Sequence, residues 1–166
     1  MKKILLAAAI VFLPLFISCE KSGVPHTGDK TGALYGVWKL EKRTDIVPQS
    51  SGNQTTETDY VNNVNFFLAL SNLGVPHALA KKGSFTALDL DDVDVDGTIF
   101  TFNADLNKIS FKEKLWLTEL KELVLYSMEL KGTFDVTELT KNKLVLQKET
   151  LGVKTIYTFS KFNPSE

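Results

Sequence analysis

The sequence predicts a mainly β fold, an antiparallel meander of about eight strands closing into a barrel, with one short helix near 59–73. Two observations predict it. Short segments alternate apolar and polar residues with period two, and short polar turns separate them. A meander that buries only one face must curl, and closure removes its exposed edges. The 43% hydrophobic and 23% charged content is that of an ordinary globular chain, and 166 residues suit one folded domain.

Met1-Lys2-Lys3 is a positive start, and Ile4 to Ile17 is an apolar run interrupted only by Pro14. That is the make-up of an export signal over 1–18, too short for a stable bilayer span. The run ends Leu15-Phe16-Ile17-Ser18-Cys19, which resembles the lipobox of bacterial lipoproteins; Phe16 and Ile17 depart from its usual residues, whereas Ser18 and Cys19 fit. The resemblance implies cleavage before Cys19 and lipidation of that cysteine with diacylglycerol and an N-acyl chain, palmitate being the expected fatty acid. Several acyl chains anchor far more firmly than one. Cys19 is the sole cysteine, so no internal disulfide is possible. Residues 19–32 are rich in Lys, Ser, Gly, Thr and Pro and read as a flexible tether, with the folded domain over 33–166.

Gly36 to Lys42 alternates, with Trp38 and Leu40 on one face, and reads as a half-buried strand. Thr44 to Thr58 is polar and reads as a long loop. From Asp59 to Leu73, Tyr60, Val64, Phe67 and Leu68 recur at helical spacing, with Thr56 and Asp59 before them and Gly74 and Pro76 after, as caps and a breaker would be. Phe66-Phe67-Leu68 equally suits the start of a buried strand. Ser84 to Leu90 reads as a strand.

Thr98 to Asn103 and Ile109 to Leu115 form a hairpin about a turn at 105–108. Trp116 to Leu125 fits helix and strand alike. Tyr126 to Val136, Leu144 to Glu149 and Val153 to Phe159 alternate as strands, with turns at 137–142 and 151–152.

Three stretches resemble the lipocalin-like lipoproteins of Gram-negative bacteria. They are Gly36-Val37-Trp38 after the tether, Gly132-Thr133-Phe134-Asp135-Val136 with Leu139 and Leu144-Val145-Leu146, and the closing Tyr157-Thr158-Phe159-Ser160-Lys161-Phe162. The resemblance covers roughly residues 33–162 and implies a fold more than an activity. It also implies that Trp38 closes one barrel end beneath a basic side chain of the last strand; Lys161 stands there, where an arginine is usual. The lipobox implies the cell envelope, on the outer membrane facing the periplasm.

Candidate chemistry is sparse. Asp92, Asp94 and Asp96, followed by Gly97, match the first half of an EF-hand calcium loop. Position 12 is Asn103 in place of the bidentate Glu, and Thr98 to Asn103 alternates as a strand where a helix belongs, so a solvated acidic strand end is the competing reading. The two histidines, His26 in the tether and His77 in an expected loop, supply neither a zinc set nor a catalytic triad. No phosphate-binding glycine loop occurs. We expect no enzyme, no cofactor and no metal centre.

Removing Lys2 and Lys3 leaves 17 basic against 20 acidic side chains, or −3, which gives no drive to bind nucleic acid. The aromatic residues Trp38, Phe100, Phe102, Phe111, Tyr126, Phe134 and Tyr157 are expected inside the barrel. Two functional readings follow. One is a membrane-anchored, non-catalytic binding module whose aromatic lining takes a small apolar ligand, or which meets an envelope partner. The other is a structural or accessory envelope lipoprotein with a filled core, acting through its outer surface at 44–58 or 59–73.

Overall fold

The computed structural model describes residues 31–72, 74–90 and 97–164. Nine strands follow a four-residue helix, α1 (Thr31–Leu34): β1 (Gly36–Gln49), β2 (Gly52–Asp59), β3 (Phe66–Asn72), β4 (Pro76–Lys82), β5 (Gly97–Phe102), β6 (Lys108–Lys121), β7 (Val124–Leu139), β8 (Lys143–Thr150) and β9 (Val153–Phe162). All pair antiparallel in one sheet of order β2-β1-β3-β4-β5-β6-β7-β8-β9, and a β1–β9 ladder from Val37–Phe162 to Ile46–Lys154 closes the ring.

One edge of β1 is shared. Gly36–Lys39 pairs with β3, and Lys42–Gln49 pairs with β2. β2 and β3 are therefore two halves of one stave, interrupted at 60–65. Counted so, the nine strands occupy eight positions around a barrel-like ring.

The expected helix at 59–73 does not form. Tyr60 to Asn65 makes a single tight turn, in which the Val64 amide donates to the Tyr60 carbonyl at 3.3 Å and Asp59 Oδ1 accepts from the Val61 amide at 2.9 Å. β3 then runs extended with Phe66 to Leu70 all buried. Its inner residues Phe66, Leu68 and Leu70 join the main core. Its outer residues Phe67 and Ala69 pack with Val37, Leu79 and Phe85 in a second cluster. Burial on both faces erases period two, and the leftover spacing imitates a helix.

Three further expectations are corrected. The 44–58 segment is not a loop, because the second half of β1 and all of β2 form a ladder there. Its polarity reflects β2's near-complete exposure. Ser84 to Leu90 is not a strand; it holds a 3-10 turn at Ala87–Leu90, and Phe85 there covers Phe67 at a ring distance of 5.6 Å. His77 lies on β4, not in a loop, and a Cβ on Gly97 would stand 2.1 Å from its Nε2. The ambiguous 116–125 stretch is strand on both sides of a two-residue turn.

β6 and β7 run on past the ends of their neighbours β5 and β8, with Leu115, Tyr126, Met128 and Leu130 still packed on the core. Their ladder is irregular between Phe111 and Leu115, opposite Gly132, which has φ +73°. Beyond that bend, Leu115–Lys121 and Val124–Leu130 form a two-stranded arm, whose Lys121 reaches the Asn63 carbonyl at 3.0 Å. β8 pairs with β7 only from Asp135 onward, so the arm parts from β8 and opens a seam.

Candidate functional site

The interior is one contiguous cluster of buried side chains, partly lined by aromatic rings. Phe111 meets Phe134 at 5.9 Å, Phe134 meets Tyr157 at 6.3 Å, and Phe100 touches both Phe102 and Phe111. Tyr126 stacks edge-on against Tyr60 at 5.2 Å. All seven aromatic residues singled out in the sequence thus belong to or pack against one core, and only Phe102 is less than fully buried.

The end of the ring nearest the N-terminus is sealed. Trp38 is 0% exposed and donates from Nε1 to the Leu34 carbonyl at 2.8 Å. Lys161, its partner in the β1–β9 register, lies with Nζ 4.1 Å from the Trp38 ring centre. The same ammonium donates to the Ala33 carbonyl at 3.4 Å and to the Tyr35 carbonyl. Burial lowers the Lys161 pKa below its ordinary value. Gly36 permits the arrangement, since its φ is +126° and a Cβ there would sit 2.6 Å from Lys161 Nζ. The expected basic side chain over Trp38 is in place.

At the opposite end a polar network holds the arm. The edge of β7 that faces the seam has no strand partner at Ser127, Glu129 or Lys131. Side chains take the strand's place. Tyr60 Oη accepts from the Ser127 amide at 3.0 Å and donates to its carbonyl at 2.8 Å. Tyr157 Oη accepts from the Glu129 amide at 3.1 Å and lies 3.3 Å from its carbonyl. Lys148 Nζ donates to the Lys131 carbonyl at 2.5 Å. Burial raises the pKa of both phenols, that of Tyr60 to about 12.

Arg43, the sole arginine of the chain, enters this network from β1. It donates from Nη1 to Ser127 Oγ at 2.5 Å and lies 5.8 Å from the Tyr157 ring centre. Its Nε is 2.8 Å from Asp45 Oδ2, and Nη2 donates to Asp45 Oδ1 at 3.2 Å. Burial works to lower its pKa, but the Tyr157 phenol and the Asp45 carboxylate outweigh that and leave it raised.

The seam between the arm and β8 is a groove of about 250 Å³. Phe134 and Tyr157 line it beside Glu129 and Lys131 of β7 and Lys148 and Thr150 of β8. Outside the arm, large apolar side chains face solvent: Leu123 is 95% exposed, Leu120 67%, Leu125 63% and Trp116 58%. The turn at its tip places Glu122 at φ +52° and Leu123 at φ +66°. Side-chained residues pay conformational energy there, of order 1–2 kcal/mol each.

The calcium candidates Asp92, Asp94 and Asp96, and the signal and Cys19, lie outside the described residues. Among the described residues no three His, Cys, Asp or Glu side chains converge as a metal set would. The seam and the arm went unmarked in the sequence. The solitary arginine in a lysine-rich chain was the one available signal for the network.

Comparison with known protein families, with curated proteins and with solved structures finds no match to this chain.

Proposed function

We propose that this protein is a non-catalytic accessory lipoprotein of the cell envelope, anchored through Cys19, with a lipocalin-like domain that meets a protein partner through its outer surface. The observation that favours this over an apolar ligand pocket is the interior: the rings that would line a pocket are spent on one another. Rings packed against one another fill the interior, and Phe134 and Tyr157 reach open space only at the seam.

The contact surface is the β6–β7 arm. Trp116, Leu120, Leu123 and Leu125 are all exposed on the arm, with Leu120 directly opposite Leu125, and exposed apolar side chains concentrated in this way mark interaction sites. A strained turn retained at its tip fits a functional role. The arm tip lies beside the 60–65 turn, at the end of the ring away from Gly36. The twelve residues from Cys19 to Thr31 span at most about 43 Å when fully extended. A tether of that reach leaves the arm free to meet a partner at the membrane surface or beyond it.

A photo-crosslinking residue placed at Trp116, in protein kept in its native envelope, tests the reading. Adducts of discrete protein mass that vanish in a Leu123→Ser, Leu125→Ser variant are the expected result. Mass spectrometry of gently extracted protein reports the acyl mass on Cys19 in the same sample. A stoichiometric apolar molecule co-extracted with the protein, with no adduct at the arm, would restore the pocket reading.

A further inference from the structure

We infer that the seam between β7 and β8 is a binding site for a small oxyanion, a phosphate or carboxylate group gripped between Lys131 and Lys148.

The charges along the groove are unequally paired. Of its two other charged residues, Arg43 is neutralised by Asp45, whose carboxylate also accepts from Thr155 Oγ1 at 2.7 Å. Glu129 turns to Lys114, with Oε1 3.2 Å from Nζ. Asp45 and Glu129 thus each already have a cation. The two ammoniums are different. Lys148 donates to a neutral carbonyl and lies 5.4 Å from the Phe134 ring centre, but has no carboxylate partner. Lys131 has no side-chain partner among the described residues. Two lysines therefore line the groove without a carboxylate partner, and an oxyanion between them would supply one for both.

The fold creates this site. Had β7 stayed straight, β8 would have covered its edge and the seam would not exist. Gly132 bends the strand, and the three side chains along the exposed edge satisfy its backbone from one side. Lys148 is one of those three, so the fold itself aims an ammonium into the seam. The Thr150 hydroxyl lines the groove without an internal partner among the described residues and stands ready to donate. A space of about 250 Å³ suits a phosphate monoester or short dicarboxylate, not a drug-sized ligand. Charge-assisted hydrogen bonds from ammonium to oxyanion are the strong kind.

The site is independent of the arm's partner and of the lipid anchor. The source of the oxyanion is either a free metabolite or a lipid headgroup, and the test separates them. Amide chemical shifts of the folded protein are followed at constant ionic strength while glycerol phosphate, succinate or chloride is added. Saturable shifts confined to 129–134 and 148–155 with the first two, and not with chloride, are expected. The variant Lys131→Gln, Lys148→Gln keeps a donor for the Lys131 carbonyl and should weaken binding at least tenfold. An unchanged melting temperature in that variant without ligand shows that folding is intact. Sedimentation with phosphatidylglycerol vesicles forms the second arm: co-sedimentation lost in the double variant, without a response to glycerol phosphate, assigns the headgroup as the source. Equal shifts with chloride, or binding of every probe unaffected by the double variant, would overturn the proposal.

Discussion

The Tyr157 hydroxyl meets both backbone groups of Glu129, the amide at 3.1 Å and the carbonyl at 3.3 Å, where a neighbouring strand would otherwise bond. Tyr60 does the same for Ser127, two residues earlier on the same edge. Two phenols from either side of β1 thereby finish a sheet edge that β8 does not reach. A buried backbone group left unpaired costs about 1–3 kcal/mol.

Tyr157→Phe keeps the ring packing and removes only the hydroxyl. It should lower unfolding stability by about 1–3 kcal/mol in denaturant titration. Hydrogen exchange at the Glu129 amide should accelerate more than at residues of the β8–β9 ladder. Equal acceleration everywhere would mean that the hydroxyl acts on global stability alone.

The same phenols set an alkaline limit. Burial favours the neutral form, so the folded pKa of Tyr60 rises from 10.0 to about 12, and that of Tyr157 rises too. Between those values the unfolded chain has lost the proton that the folded chain keeps, so stability falls as pH rises. Stability should be intact below pH 10 and decline from there toward pH 12. Tyrosinate absorbance should show two late-titrating phenols, and Tyr60→Phe should remove one.

Gly36 and Lys161 are coupled. A Cβ at residue 36 collides with the Lys161 ammonium, and φ +126° disfavours any side chain. Gly36→Ala should destabilise by about 2 kcal/mol or more, and Lys161→Ala should relieve the collision but not the dihedral strain. A double-mutant cycle measured by denaturation should give a favourable interaction energy. Strict additivity would show that the lysine does not press on Gly36.

Replacing Glu122-Leu123 by Asn-Gly suits the left-handed turn better and should stabilise the fold by about 1–2 kcal/mol. The same variant should weaken capture at the arm, because Leu123 leaves the apolar group. Greater stability together with unchanged crosslinking at Trp116 would separate the turn from partner contact.

Much of the ring was legible in the sequence. Trp38 and Leu40, Phe100 and Phe102, and the row from Val153 to Phe159 alternate because one face meets the core and the other meets solvent. Where that condition fails, the pattern misleads. β3 is buried on both sides and looked helical; β2 is exposed on both sides and looked like a loop. The Glu122-Leu123 turn lacks the Asn-Gly signal of its backbone type, which left the arm's two strands unseparated.

Resemblance to known lipoproteins alone suggested the Trp38–Lys161 pairing and an anchor at Cys19, whereas the sequence by itself determined the strand-rich meander and the inward aromatic rows. Local alternation and turn chemistry carry that information over a few residues. Tertiary structure alone decided that β1 divides its edge between β2 and β3, that β7 bends away from β8, and that Arg43, Tyr60, Tyr157 and Lys148 gather at one seam. These depend on which strand edges find partners, and an edge is satisfied or left open by residues far apart in the chain, as Val37 and Phe162 or Tyr60 and Ser127 are.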